Sequence, residues 1–404
     1  MRVLVLDGNE NQAVACVRSL ATAGHDVVVG AATSWSKAAW SRFAAGSVTY
    51  KPPQLDAGAF IRSLVELLHG REGTLVLPMT ERTTLPISEH RAQLIEAGAR
   101  LVLPSHENVL RAFDKAYTTE LASALGCAVP QTIRLTDDGE ARALADTASY
   151  PVVLKPQTSE EVQRDGRVVS TGRPLYARSA AEFMRQFSLI RGRSSSVLVQ
   201  QFMEGHGAGY FALVQDGQVR AEFAHRRIRD VRPTGSGSAL RVSAAMDPRI
   251  QQAGRAILES LEWHGVAMVE FRVPTKGPPV FLEVNGRFWN SLALAVHSGA
   301  DFPRWLAEMA EHGTLTSKPG YQTDVRCRWF LGDTRHLLEV LRGPPPGFPG
   351  RFPNRLAAIR DFLTPVRGTC HDNFMMSDPL PELGDWMHFV LRRVLRIGGE
   401  GTTA

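Results

Sequence analysis

Val269-Glu270-Phe271-Arg272, followed by Phe281-Leu282-Glu283-Val284-Asn285-Gly286-Arg287, is the stretch on which the fold turns. Two apolar runs, each carrying an acid, flank a short segment rich in Gly and Pro, the pattern of two strands joined by a turn. Side chains alternate along a strand, so Glu283 and Asn285 share a face and Glu270 can sit opposite them. Charges inside apolar runs are costly unless a metal or a counter-charge takes them up. Two carboxylates and an amide oxygen form an incomplete set of hard oxygen ligands. That suits Mg²⁺, which keeps waters or phosphate oxygens in its octahedron. Arg287, two positions beyond Asn285, reaches the same anionic ligand if the strand continues. An ordinary hairpin with solvated or salt-bridged acids is the competing reading, and the apolar flanks weigh against it.

Working outward, residues 150–155 and 196–201 read as strands, with a polar segment at 157–173 that reads as a mobile loop or hairpin. Residues 211–214 and 218–223 form a hairpin across Gln215-Asp216-Gly217, a turn with an Asp-Gly step. An amphipathic helix is expected over 249–263, then strands at 267–273 and 280–284. The middle of the chain is therefore α+β with antiparallel pairing. Lys155 ends an apolar strand just before Pro156, where a simple solvated position is unnatural. His225, Arg226, Arg227 and Arg229 follow the second hairpin strand, and alternation puts Arg227 and Arg229 on one face. The Pro233-Thr234-Gly235-Ser236-Gly237-Ser238 run offers backbone N–H groups to an anion, or serves as a plain connector.

The first ~110 residues differ, alternating strands (3–6, 26–29, 74–77, 100–103) with helices (11–23, 61–68, 89–97), the pattern of a parallel α/β unit. Strand-end loops such as Pro78-Met79-Thr80-Glu81 are where such sheets place ligands. Dinucleotide binding is excluded, because Asp7-Gly8-Asn9-Glu10-Asn11 supplies one glycine where the fingerprint needs three. A helix over 114–125 marks the change of domain.

The chain has 404 residues with 46 basic and 41 acidic side chains, a net charge of +5. So small an excess, with no reading motif, argues against a nucleic-acid partner, and short basic clusters suit a phosphate or carboxylate ligand better. Four scattered cysteines (Cys16, Cys127, Cys327, Cys370) fit a reducing cytoplasm and neither structural zinc nor a disulfide framework. No apolar run reaches the roughly 18 residues of a membrane span. Residues 1–6 read as a first strand rather than a signal peptide. The last ~90 residues are broken at Pro344-Pro345-Pro346-Gly347 and at Asp378-Pro379-Leu380-Pro381. A helix over 386–397 carries Trp386, Phe389, Val390, Val394 and Ile397 as candidate buried positions.

Taken in order, Asp114-Lys115, Val152-Val153-Leu154-Lys155-Pro156, Val199-Gln200-Gln201-Phe202-Met203-Glu204-Gly205, Glu270 and Glu283-Val284-Asn285-Gly286-Arg287 resemble the ATP-grasp superfamily. The likeness covers residues ~1 to ~310, and His225-Arg226-Arg227 with Arg287-Phe288-Trp289-Asn290-Ser291-Leu292 extends it toward the carboligase-like, carboxylate–amine ligase branch. It implies a pre-ATP-grasp α/β domain (1–112), two ATP-grasp subdomains with antiparallel sheets (113–195 and 196–312) and an irregular, α-rich C-terminal extension (313–404). Lys115 and Lys155 then match the lysines that reach the phosphates. Gln200, Gln201 and Met203 match the adenine-binding linker, with glutamine where many relatives have glutamate. Glu204 approaches the ribose, His225 contacts the nucleotide, and Arg287, Arg227 and Arg229 serve the transferring phosphoryl group. Glu270, Glu283 and Asn285 hold Mg²⁺ or Mn²⁺.

The implied reaction activates a small-molecule carboxylate with ATP as an acyl phosphate and joins it to an amine. Residues 157–173 and 232–238 are the natural lids. A bicarbonate-using carboxylase and a non-catalytic nucleotide-binding scaffold are the alternatives, and a homodimer is one assembly open to such a chain. No phosphate loop, nucleophile elbow or HExxH zinc motif is present.

Overall fold

The computed structural model describes residues 1–394 apart from 318, 346 and 365. Ile397 and Pro346 of the sequence analysis thus lie outside the described residues. Short β-branched runs, Arg2–Val5 (β1), Asp26–Ala31 (β2), Gly46–Thr49 (β3), Thr74–Leu77 (β4) and Ala99–Arg100 (β5), form the first sheet. Its order is β3-β2-β1-β4-β5 and every pairing is parallel. The strand order reverses between β1 and β4, so the crevice for a ligand opens where those two strands end. Asp7 ties the two strand-end loops together there, its Oδ2 accepting from Met79 N, Thr80 Oγ1 and Thr83 Oγ1 at 3.1, 3.0 and 2.6 Å. The helix expected over 89–97 is two helices, Glu81–Glu89 and Arg91–Glu96, and the strand expected over 100–103 shrinks to β5. Thr80 caps the first of these helices by accepting from Thr83 N, so the β4 loop passes straight into it.

The second sheet contains Thr132–Leu135 (β6), Val152–Pro156 (β7), Leu175–Ala177 (β10) and Val197–Gln201 (β11), in the antiparallel order β10-β7-β11-β6. The polar segment after β7 is a hairpin of its own, Glu160–Val162 (β8) with Val168–Ser170 (β9). The third sheet has seven strands: His206–Gln215 (β12), Gln218–Arg232 (β13), Ser236–Ser243 (β14), Gly265–Val273 (β15), Val280–Asn285 (β16), Arg326–Arg328 (β17) and Cys370–His371 (β18). Its order is β16-β15-β12-β13-β14-β17-β18, antiparallel except for the last pair. A parallel-sheet N-terminal unit, antiparallel sheets behind it and a helical C-terminal region make up the architecture.

One apolar core joins the first sheet to the third, with Val3, Val5 and Val14 packed in the same cluster as Phe211, Met268 and Trp289. Burial of such continuous apolar surface is the main force fixing the first sheet against the third. The C-terminal region is bound in by buried ion pairs, Arg18–Asp378 at 2.8 Å, Lys37–Asp385 at 2.9 Å and Arg241–Asp372. Its last described helix is Leu380–Val394. Trp386 and Phe389 pack on Val231, Ala239 and Trp329, whereas Val390, expected inside, is exposed. Among the described residues no helix is long and apolar enough to cross a membrane.

Candidate active site

The second and third sheets and the β1 and β4 loops enclose a cleft of about 430 Å³. Its floor is the strand pair read first from the sequence. Glu270 on β15 stands directly opposite Glu283 on β16, with Val269 opposite Val284 and Met268 opposite Asn285. Asn285 Nδ2 donates to Glu283 Oε1 at 3.3 Å, so the two share a face as alternation requires. Strand β16 ends at Asn285, yet Arg287 still turns back and donates to Asn285 Oδ1 at 3.2 Å.

Cations crowd the same floor. Lys155 is buried at the end of β7, and burial, offset by Glu283, lowers its ammonium to about 8. Lys115 donates to Ser159 Oγ at 2.9 Å, at the start of a helix capped by Asp114. Burial opposes charge on Glu283, but Lys115 and Lys155 win and hold its carboxyl below the usual range. Arg227 Nη2 donates to Glu270 Oε2 at 2.7 Å. Its side chain crosses Gly207, where a Cβ would lie 2.9 Å from Arg227 Cδ, so the smallest residue makes room for the guanidinium.

Two hard-oxygen acids face each other with an amide beside them and ammonium groups close by. The donor set fits a Mg²⁺ ion that also takes phosphate oxygens and water: Glu270, Glu283 and Asn285 would hold it, leaving most of its shell to the ligand.

The other end of the floor is an apolar slot. Gln200 lies in the sheet with Nε2 on Thr132 Oγ1 at 2.9 Å, and Gln201, Phe202 and Met203 follow along the cleft wall. Phe202 meets Tyr176 and Phe348 edge-on, at 5.9 and 6.2 Å between ring centroids. Tyr176 in turn donates to Thr234 O at 2.8 Å, tying β10 to the tight turn at 233–235 between β13 and β14; the rest of the expected 233–238 loop is the start of β14.

Three expected site residues lie elsewhere. Arg229 forks onto Asp333 with two bonds of 2.7 Å, because register shifts between Arg227 and Arg229 and between Arg229 and Asp230 turn it off the face that alternation assigned. His225 is buried, with Nε2 against Ser291 Oγ at 2.8 Å and its ring on Phe211, and burial pushes its imidazole well below the usual range. It supports Ser291, which lines the cleft, and is not a cleft residue itself. Glu204 is exposed outside the cleft.

Sequence reasoning missed Glu10, Gln12, Arg82 and Glu160, all of which line the cleft. Glu81, read from the sequence only as a strand-end loop residue, lines it too, as does Trp329. The strand-end rule was the available signal for Glu10 and Gln12, since they follow β1 as Glu81 follows β4.

A parallel sheet followed by two antiparallel sheets closing on a cleft with this floor defines the ATP-grasp fold. Solved structures with that fold superpose on most of the chain. The biotin carboxylase domain of Hydrogenobacter thermophilus 2-oxoglutarate carboxylase, a dimer in complex with MgADP, ADP and bicarbonate, is 18% identical at a TM-score of 0.62, over 80% of this chain and 73% of that one. L-amino acid ligase from Bacillus licheniformis is 14% identical at 0.57, over 77% and 74%. N5-carboxyaminoimidazole synthetase from Staphylococcus aureus, complexed with ADP, is 12% identical at 0.59, over 79% and 79%. No protein-family model matches the chain, and no curated protein matches it at a significant level.

Proposed function

We propose that this chain is an ATP- and Mg²⁺-dependent ligase that activates a small-molecule carboxylate as its acyl phosphate and joins it to an amine, releasing ADP and phosphate. The carrying observation is the facing pair Glu270 and Glu283, set beside Lys155 and Lys115 at the inner end of an apolar slot. The slot suits a planar base, with Met203 and Phe202 as its apolar wall and backbone groups of 200–203 for the ring edge. Lys115 and Lys155 are placed for phosphate oxygens as compact point charges. Magnesium, when bound, neutralises phosphate charge and orients the triphosphate. Arg227 and Arg287 present guanidinium donors where charge develops on the transferring group. The hairpin β8–β9 and the 233–238 segment that turns from β13 into β14 border the cleft and are placed to exclude water from an acyl phosphate.

MgADP and ADP complexes among the structural neighbours support the nucleotide assignment. A bicarbonate-using reaction is the second reading, favoured by the fold likeness to a biotin carboxylase domain bound to bicarbonate. The deciding experiment is a screen for ADP release over paired acids and amines, with labelled bicarbonate as one of the acids and product masses read by mass spectrometry. Under the ligase reading, an acid–amine pair releases ADP and yields a product lighter by one water than the two together. Silence from every pair sinks it, and Glu283→Gln must abolish any activity found.

A further inference from the structure

The end of the cleft away from the apolar slot has the opposite charge character. Around the slot, Lys115, Lys155, Arg227 and Arg272 outnumber Glu270 and Glu283. At the far end the lining acids Glu10, Glu81 and Glu160, with Asp7 behind them, outnumber Arg82, Arg287 and the nearby Lys37. Three of those four acids are accounted for. Asp7 is saturated by the hydroxyls and amide of the β4 loop, Glu160 Oε1 accepts from Arg82 at 2.7 Å, and Glu81 lies 3.6 Å from Arg287.

Glu10 is different. It stands at the N-cap of the helix Asn11–Thr22 but its side chain makes no capping bond, and its carboxylate has no hydrogen bond or ion pair with another described residue. It lines the cleft instead. A second, independent observation points the same way. Gln12 is only 2% exposed, gives its Nε2 to Met79 O at 2.9 Å, and has no donor for its Oε1. Glu160, 7% exposed, likewise has no donor for Oε2. Both line the same end of the cleft. Buried acceptors without donors are expensive, and a ligand that brings several N–H donors relieves them together.

We infer that this end binds the amine substrate as a primary ammonium, with the Glu10 carboxylate as its counter-ion and Gln12 Oε1 as a second acceptor. The ammonium has three donors and no acceptor, the complement of what these side chains leave open. Burial, with Asp7 adding to it, holds the Glu10 carboxyl above its usual range despite Lys37, Arg287 and Arg82, and a further cation beside it acts to lower it. The cleft is thus electrically divided, with phosphate drawn to one end and amine to the other. The role of that amine as acceptor rests on the ligase reading; its binding does not.

The test uses the full chain with Mg²⁺ and a non-hydrolysable ATP analogue. The probes are the common amino acids, their amides, and matched compounds carrying hydroxyl in place of the amine, followed by ligand-observed NMR. Amine probes bind the wild type, hydroxyl counterparts bind ~10-fold or more weakly, and Glu10→Gln loses ~10-fold in amine affinity while keeping affinity for the analogue. If Glu10→Gln does not fold, Gln12→Met carries the comparison with the same expected direction. The inference is overturned if no amine probe binds, if hydroxyl compounds bind equally, or if both variants bind amines like the wild type. ADP release from acid–amine pairs with amine binding indifferent to Glu10 removes this inference alone. Glu10-dependent amine binding with no ADP release from any pair removes the ligase reading alone.

Discussion

Arg227 gives its Nη2–H to Glu270 Oε2 over 2.7 Å, so one carboxylate of the proposed magnesium pair shares its charge with a guanidinium. The contact is largely buried, with both side chains about one-tenth exposed. Its geometry separates two roles that a simple loss of activity would confuse. Arg227→Met removes a cation from the reacting end and should lower kcat by ~10²-fold, the effect of deleting one preorganised donor to developing charge. Glu270, freed of its partner, then attracts Mg²⁺ at least as well as before. The Mg²⁺ concentration for half-maximal ADP release should not rise in Arg227→Met, whereas Glu270→Gln should raise it. Magnesium titrations of both variants check this, and a parallel rise in the two would show that Arg227 acts only through the metal site.

Lys155 provides a pH test. Burial, partly offset by Glu283, puts its ammonium at about 8 in the free chain. A bound triphosphate favours the charged form, so nucleotide binding should take up a proton above pH 8 and weaken as pH rises further. Calorimetry in buffers of different ionisation enthalpy should show this uptake in the wild type and lose it in Lys155→Met. The unliganded protein carries the opposite dependence. A folded value depressed below the unfolded one adds stability at high pH, fully present above the unfolded value and lost as pH falls through about 8.

Lys155 stands at a position legible directly in the sequence, a lysine ending an apolar strand before proline. The pairing of Glu270 with Glu283 was legible for a similar reason: period-two alternation and apolar flanks define both strands and their shared face. The parallel N-terminal sheet was legible from its strand–helix alternation. What escaped depends on contacts distant in sequence or on irregular backbone. Arg229 was assigned to the cleft because alternation assumes an unbroken ladder, and the bulges on either side of it break the ladder. Glu10 and Gln12 at the start of the helix Asn11–Thr22 meet Glu160 of β8 only once the first sheet and the β8–β9 hairpin are brought together. Trp329 arrives at the cleft through β17, a three-residue strand too short to announce itself.

Arg229 should accordingly behave as a structural residue. Asp333 is fully buried and serves two guanidinium groups, Arg229 by two bonds of 2.7 Å and Arg328 by one of 2.6 Å. Removing the acid strands both cations, so Asp333→Ala should cost ~3–5 kcal/mol, the usual penalty for breaking a buried pair. Arg229→Ala leaves Arg328 on the acid and should cost less. Urea denaturation gives the order. Nucleotide affinity in folded Arg229→Ala should stay near that of the wild type, and a large loss there would return Arg229 to the cleft.

Gly207 makes the final case, because it tests position without changing charge. Arg227 reaches Glu270 by crossing Gly207, and a Cβ there would stand 2.9 Å from Arg227 Cδ and 3.2 Å from Nη1. Those atoms belong to a flexible side chain, so Gly207→Ala should fold with nearly wild-type thermal stability while pushing the guanidinium off Glu270. Activity should then fall in the direction of Arg227→Met although every charge is retained. The double variant Gly207→Ala with Arg227→Met decides whether the two share one cause. If Gly207 matters only through Arg227, adding Gly207→Ala to Arg227→Met lowers kcat no further, since changes acting on one contact are not additive. Additive losses would mean that Gly207 serves the backbone of β12 in its own right.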